Sequence, residues 1–217
     1  MAGLSPELWS IVWLSLQVTG TALLISALVG IPAGTWLGLA RFRGKSLLSA
    51  LIYTGMGLPP VVVGLLVYIV LSRRGPLAVL GWLFTPQAMI LAQSVIALPL
   101  VTGITMAAVE AVPADLLLQV RSLGAKPWQA RWAVLREARQ GVVVALAAGF
   151  GRIISEVGAA LMVGGNIQGH TRVLTTAIVL ETGKGEFALA LALGGWLFAL
   201  TLLVNLIVLR LQGRLLP

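Results

Sequence analysis

The chain contains no cysteine and a single histidine among its 217 residues. The absence of cysteine excludes disulfide bonds, thiolate metal sites and catalytic thiols. His170 has no second histidine or cysteine partner, so we expect no metal site. Only seven Asp and Glu residues are present. They are scattered along the chain and do not supply the converging acid, base and nucleophile that an enzyme needs.

Charged residues of either sign are also scarce. They make up 10% of the chain and hydrophobic residues 59%, whereas an ordinary soluble domain has about 25% charged residues. Water cannot solvate a surface with so few charges, so the composition predicts an integral membrane protein. The net charge of +8 does not indicate a nucleic-acid partner, because the basic residues lie at the ends of apolar runs, where they set membrane topology.

Five apolar stretches are long enough to cross a membrane, which takes about 20 residues. They cover residues 9–40, 47–71, 87–111, 141–163 and 187–211. Gly30, Pro32 and Gly34 predict a bend in the first stretch, and paired prolines interrupt the second. The sequence therefore predicts an all-α integral membrane protein with one domain, residues 9–211, and about five transmembrane helices that contact membrane lipid.

Basic residues are distributed unevenly between the two sides of these stretches. The richer side carries Arg41, Arg43, Lys45, Arg121, Lys126, Arg131, Arg136, Arg139, Arg210 and Arg214. The other side carries Arg73, Arg74, Arg172 and Lys184. Because cytoplasmic loops hold the excess of Lys and Arg, we expect the N-terminus outside the cell and the C-terminus inside.

The one long polar interval is residues 113–140, with five basic side chains against two acidic ones. Pro113 and Pro127 suit the first turns of two helices, and Gly124 allows the bend between them. On the second helix, Trp128 and Trp132 are four residues apart and share a face. We call this predicted helix–glycine turn–helix the basic hairpin. It docks a cytoplasmic partner or, alternatively, lies on the membrane as an amphipathic hairpin without one.

The run Leu123-Gly124-Ala125-x-Pro127-Trp128-Gln129-Ala130 resembles the cytoplasmic EAA loop of ABC importer permeases. That loop forms a coupling helix in a cleft of the ATPase subunit. Leu118-Gln119-Val120 stands here where Glu-Ala-Ala is usual, and Arg136-Glu137 replaces a later Leu-Pro. The resemblance implies that an ATPase dimer docks on Arg121, Leu123, Gly124, Ala125, Pro127, Trp128, Gln129 and Arg131. ATP and Mg²⁺ then belong to that partner, and this chain holds no cofactor.

A second resemblance narrows the family. The Glu156-Val157-Gly158, Gly164-Gly165-Asn166-Ile167 and Thr171-Arg172-Val173-Leu174-Thr175-Thr176-Ala177-Ile178 runs are similar to those of molybdate and, more closely, tungstate permeases, as is Arg136-Glu137-Ala138-Arg139. This implies the ABC type I permease fold in the plasma (inner) membrane of a prokaryote. The implied cargo is tungstate, delivered by an extracytoplasmic tungstate- or molybdate-binding protein; molybdate or another oxyanion is the alternative.

Arg152 and Glu156 lie inside the fourth apolar stretch. Charges at bilayer depth are costly and face the protein interior or a water-filled cavity. Their spacing places them on one helix face, where they pair, with Arg152 near the cytoplasmic end. Such an ion pair either only fixes helix packing or forms part of a gate. The small neighbouring residue Gly158 either allows close helix packing or belongs to that gate.

Gly164 and Gly165 are expected to end the fourth helix and begin an external segment, residues 164–186. It contains Asn166, Thr171, Thr175 and Thr176, which we take as candidates for the oxyanion pathway. Hydroxyl and backbone N–H groups bind a tetrahedral oxyanion without titrating. The alternative is ordinary capping and turn chemistry, to which threonine is well suited.

Five spanning helices are too few to enclose a transport pathway within one chain, and two-fold dimers are the commonest assembly. We therefore expect a homodimer with the pathway between the subunits. The sequence does not favour two other classes of membrane protein. An intramembrane enzyme lacks a converging set of groups, and a secondary transporter should show an inverted repeat, which the sequence does not.

Overall fold

The computed structural model of the chain describes residues 6–212. The helices in that range are α1 (Pro6–Leu39), α2 (Lys45–Met56), α3 (Pro60–Leu71), α4 (Pro86–Glu110), α5 (Ala114–Ser122), α6 (Pro127–Glu137), α7 (Arg139–Ile154), α8 (Gly158–Gly164), α9 (Leu174–Gly183) and α10 (Phe187–Leu211), with a 3₁₀ turn at Ala78–Leu80. The predicted all-α membrane fold is confirmed. Arg214, used above to orient the chain, lies outside the described residues.

Three helices are long and apolar enough to cross a membrane without interruption: α1, α4 and α10. The predicted spans at 9–40, 87–111 and 187–211 are confirmed by them. The bend expected in the first span is not a break, because α1 continues through Pro32 to Leu39.

The second and fourth predicted spans are broken helices. The axes of α2 and α3 differ by 97°, and those of α7 and α8 by 60°. Pro59 and Pro60 stop α2 and begin α3, since proline lacks the N–H that a helix interior needs. If each bent pair counts as one span, the structure has five.

Glycines on α1 set the central helix contact of the bundle. A methyl group on Gly34 would lie 2.5 Å from the carbonyl oxygen of Thr102, and one on Gly38 would lie 2.7 Å from Val109 Cγ1. The backbones of α1 and α4 therefore approach closely, as small residues permit in membranes. The largest buried cluster joins this pair to the neighbouring helices: it includes Met89 of α4, Val63 of α3, Ile153 of α7 and Ala159 of α8.

The region predicted as an external segment, 164–186, is partly helical. Helix α9 occupies Leu174–Gly183, and its Leu174 and Ala177 are buried in a cluster with Ile11, Val12 and Leu193. The first half of α9 is thus part of the bundle, held between α1 and α10. Most of α10 is not covered by the rest of the chain, since only 11% of its apolar window is buried.

One end of the bundle collects the basic termini of several helices. Lys45 at the start of α2 forms a salt bridge of 2.9 Å with Glu110 at the end of α4. The α1–α2 turn with Arg41 and Arg43 and the basic hairpin both adjoin this end, where they border one cavity. We call it the basic end.

We predict that Gly34→Ala destabilises the protein by about 1–3 kcal/mol, because the added methyl group must push the α4 backbone away. A thermal unfolding scan of the purified protein in detergent measures this. Gly20→Ala, on the same helix, is the matched control, because a methyl group there meets nothing within 4 Å. Equal midpoints for the two variants would contradict the close α1–α4 contact.

Candidate functional site

The turn of the basic hairpin has the geometry that its glycine predicts. Gly124 has φ +84°, in the left-handed region that glycine adopts without strain. The Gly124 N–H donates to the Arg121 carbonyl (3.0 Å), and the Ala125 N–H donates to that of Val120 (3.3 Å). This is a Schellman ending of α5. The predicted helix–turn–helix is therefore confirmed.

The second helix of the hairpin begins where proline predicts. Pro127 is its first residue, a position where the missing N–H costs nothing. The side-chain Oε1 of Gln129 accepts a hydrogen bond of 2.7 Å from the Lys126 N–H. Gln129 thus satisfies a backbone donor at the start of α6 and helps to hold the turn in one conformation.

The hairpin is anchored to α4 by apolar side chains. Val134 of α6 and Ala138, which joins α6 to α7, are buried with Val109 of α4, and Leu116 and Leu117 of α5 pack beside them. Because packed cores transmit displacement rather than absorb it, a force applied to the hairpin reaches the end of α4 directly.

The tip of the hairpin, by contrast, is exposed. Leu123 is 87% and Leu118 64% exposed, and Arg121 is also exposed. Apolar side chains held away from the core beside a cation are typical of a surface that another protein covers. The tip combines a rigid glycine turn, an exposed leucine and a positive charge.

Trp128 and Trp132 share a face of α6, as predicted. They line a groove with Trp36 of α1 and do not belong to the tip. The sequence offered no signal that Trp36 would join them, because the contact links residues about 90 positions apart.

Arg152 and Glu156 do not form the predicted helical pair. Helix α7 ends at Ile154, so the two residues are not on one helix face, and no salt bridge joins them. Glu156 is 7% exposed; its Oε1 accepts the Ala159 N–H at 3.0 Å, and its carbonyl accepts the Thr175 hydroxyl at 2.9 Å. The carboxylate therefore caps the start of α8, and the backbone carbonyl of Glu156 ties this turn to α9.

Arg152 also lies deeper than expected. It is 13 residues after Arg139, the first residue of α7, which at 1.5 Å per residue is about 20 Å along the helix. The prediction that it lies near the cytoplasmic end is wrong. It is half-buried, and within residues 6–212 its guanidinium forms no salt bridge. A cation near the end of α7, beside the break in this span, is thus left without an acidic partner among the described residues.

The pathway candidates after α8 use their polar groups within the fold. The Thr171 hydroxyl accepts the Ile167 N–H at 2.9 Å and donates to the Gly164 carbonyl. The Thr176 hydroxyl accepts the Val173 N–H at 3.0 Å and so caps α9. Thr171 and Thr176 are fully buried. Their hydroxyls follow the capping and turn alternative.

Asn166 has φ +52° and stands in the tight turn after Gly165. Its Nδ2 donates to the Thr176 carbonyl at 3.4 Å, while its buried Oδ1 has no partner among the described residues. Gly158 serves packing, since a methyl group there would lie 2.6 Å from Val61 of α3. The pathway candidates are therefore close in space but mostly engaged in holding α3, α8 and α9 together.

The sequence did not predict that the break between α2 and α3 and the break between α7 and α8 lie near each other. Gly57, Leu58 and Pro59 at the first break and Ser155 at the second are exposed. The helices that follow the breaks pack tightly, because a methyl group on Gly64 of α3 would lie 2.7 Å from the Ala159 Cα of α8. Gly57, Pro59 and Pro60 predicted the interruption of the second span, whereas the break at Ser155 in the fourth span was not predicted.

Comparison with known proteins agrees with this architecture. An anion ABC transporter permease described as probable, from Haloferax volcanii, is 46% identical over 94% of this chain and 90% of its own length. The tungstate uptake system permease TupB of Peptoclostridium acidaminophilum is 39% identical over 98% and 93%. The molybdenum transport system permease ModB of Escherichia coli is 33% identical over 83% of each chain.

Solved structures show the same fold at lower identity. The inward-facing MetNI methionine ABC transporter matches with a TM-score of 0.77 at 21% identity, over 98% of this chain and 99% of that one. A bacterial ABC transporter that imports alginate matches with a TM-score of 0.79 at 19% identity, over 98% and 81%. These matches confirm the ABC importer permease fold.

A sequence profile for the membrane components of binding-protein-dependent transport systems matches residues 30–217. That family supplies the membrane pathway, and ATP hydrolysis belongs to a separate subunit, so the chain is a transport subunit and not an enzyme. The chain belongs to the family of binding-protein-dependent transport system inner membrane components.

Proposed function

We propose that this chain is the permease of an ATP-driven importer whose cargo is an oxyanion, most specifically tungstate. The identities support the cargo: two tungstate permeases are 39% and 38% identical to the chain, and a molybdenum permease is 33% identical. Molybdate is the alternative, because the two anions have nearly the same size and charge. An extracytoplasmic binding protein delivers the anion.

The observation that carries the transport mechanism is the exposure of the irregular residues at the two helix breaks. Gly57, Leu58, Pro59 and Ser155 are uncovered inside broken spans. Irregular backbone at membrane depth is tolerated only where protein buries it or water fills a cavity beside it. A second copy of the chain on this face satisfies both conditions, because it covers part of the surface and encloses a pathway. The breaks therefore favour a homodimer with the translocation pathway at its two-fold axis.

Arg152 supplies the electrostatics of that pathway. It has no acidic partner among the described residues, and it precedes the break that contains Ser155 by three positions. Two copies would bring two guanidinium groups to a doubly charged anion. Charge balance at low dielectric lowers the cost of moving such an anion across the membrane. The threonines support this region through turns and caps and do not act as ligands.

The basic hairpin couples the pathway to the ATPase. Its exposed tip, formed by Leu118, Arg121, Leu123, Gly124 and Ala125, docks into the ATPase, and its buried face moves the end of α4. Trp128, Pro127, Gln129 and Arg131 shape the second helix behind that tip. The positive-inside rule places this end in the cytoplasm, where ATP is available.

We expect Leu123→Asp to abolish co-purification of the ATPase, with affinity at least tenfold lower. The leucine is exposed, so the fold tolerates aspartate, but a buried carboxylate at the docked interface is costly. Val79→Asp is the matched control, since Val79 is 91% exposed and lies far from the hairpin. Retention of the ATPase by Leu123→Asp would refute docking at the tip.

A second prediction concerns the dimer. Because the chain has no cysteine, Ser155→Cys introduces a single thiol at the second helix break. A short bis-maleimide should link two copies through it in native membranes, as a doubled mass on a denaturing gel. Leu203→Cys, on the uncovered face of α10, should not be linked. If Leu203→Cys is linked and Ser155→Cys is not, the helix breaks face lipid, and a homodimer with its two-fold axis at the breaks is excluded.

The third prediction concerns the cargo. The complex in proteoliposomes, with its binding protein, should take up labelled tungstate, and Arg152→Gln should slow that uptake at least tenfold while the ATPase still co-purifies. Arg152→Lys should restore part of the rate, because the charge is kept.

Arg210→Gln is the control, since it removes a cation from the exposed end of α10. Wild-type uptake by Arg152→Gln would remove Arg152 from the pathway. If the complex takes up molybdate in preference to tungstate and Arg152→Gln still slows uptake, the cargo is molybdate and the proposed role of Arg152 stands.

A further inference from the structure

An apolar groove runs between α1 and α6 at the basic end of the bundle. Its walls include Ile31, Thr35 and Trp36 of α1 and Trp128, Trp132 and Leu135 of α6. The three indole side chains are 51%, 65% and 63% exposed. The groove has a volume of about 440 Å³, so it admits a segment of hydrocarbon chain. It is separate from the helix breaks and from the hairpin tip.

The groove lies at the depth where a membrane changes from hydrocarbon to headgroups. Ile31–Trp36 form the last turns of a spanning helix that ends at Leu39, which places them within about 12 Å of its end. Tryptophan is enriched at this depth, because its ring is apolar and its N–H is polar.

The apolar wall of the groove continues along α1. Leu24, Ile25, Leu28 and Val29 are exposed on the preceding turns. An acyl chain lying on these side chains would lead directly to Trp36. A soluble protein would leave this continuous surface uncovered, whereas lipid covers it along its length.

The charge at the groove is positive only. Arg131 is its one charged lining residue, and it forms no salt bridge with any residue in 6–212. Trp36 stacks on Phe42, with ring centroids 5.6 Å apart, so the turn that carries Arg41 and Arg43 adjoins the groove. Basic residues next to the cytoplasmic leaflet attract anionic lipids, and each is worth about a fivefold change in affinity.

We propose that this groove is a binding site for one anionic phospholipid of the inner leaflet. One acyl chain lies along α1 and between the tryptophans, and the phosphate group pairs with Arg131. The lipid fills the space between α1 and α6 and so stiffens the second helix of the hairpin from the membrane side. Trp128 and Arg131, which the resemblance assigns to the ATPase interface, then face the lipid, and the ATPase engages the tip.

The test is tryptophan fluorescence of the complete permease–ATPase complex in nanodiscs. Phosphatidylglycerol brominated on its acyl chains should quench more strongly than brominated phosphatidylcholine at equal mole fraction. Trp132→Phe should remove a large part of this excess while the ATPase remains bound. Arg131→Gln should lower the preference for phosphatidylglycerol about fivefold.

Arg136→Gln is the matched control, because it removes the same charge from α6 but lines a different cavity. It should keep the preference, and inorganic phosphate at millimolar concentration should not displace the lipid. Equal quenching by the two lipids, or loss of the preference in Arg136→Gln and not in Arg131→Gln, would overturn the proposal. An excess seen only after the ATPase is stripped away would assign the groove to the ATPase, and a Trp132→Phe complex that falls apart into monomers would assign it to a second copy.

Discussion

The constraint on which this structure depends is that backbone polar groups inside a membrane must be satisfied by protein or by water. Helices α1, α4 and α10 satisfy this constraint through their own continuous helical hydrogen bonds. The two broken spans do not, because each leaves a few irregular residues at depth. The fold answers by packing α3 against α8 through Gly64 and Ala159 and by capping α8 with Glu156. In the proposed homodimer, a second subunit and an aqueous pathway cover the remainder.

At the basic end, the basic hairpin presents different surfaces to different neighbours. The hairpin uses small and aliphatic side chains to bind α4, a glycine turn to present its tip, and tryptophans to meet the groove beside α1. One segment of 28 residues thus has three faces with three environments. In the proposed mechanism, a displacement of the tip moves α4, which packs on α1 at Gly34 and Gly38.

Much of this could be predicted from the chain itself. Long apolar runs bounded by charge predicted α1, α4 and α10 within a few residues, since span length follows from bilayer thickness. Pro127 and Gly124 predicted the hairpin, because their backbone restrictions are local. The pairing of Arg152 with Glu156 was wrong because it assumed an unbroken helix. The hydroxyls of Thr171 and Thr176 accept backbone N–H groups in a turn and at a helix start, and which N–H groups a turn leaves free depends on the fold.

The sequence by itself determined the membrane class, the orienting charge bias and the interruption of the second span at its prolines, because these follow from local composition and backbone chemistry. Only the tertiary structure decided what the interruptions do. It brought the break before Pro60 beside the break after Ile154 and placed Trp36 opposite Trp128 and Trp132. Among residues 6–212, it left Arg152 without an acidic partner. These outcomes depend on how helices distant in sequence pack, and packing is set by shape complementarity across the whole bundle.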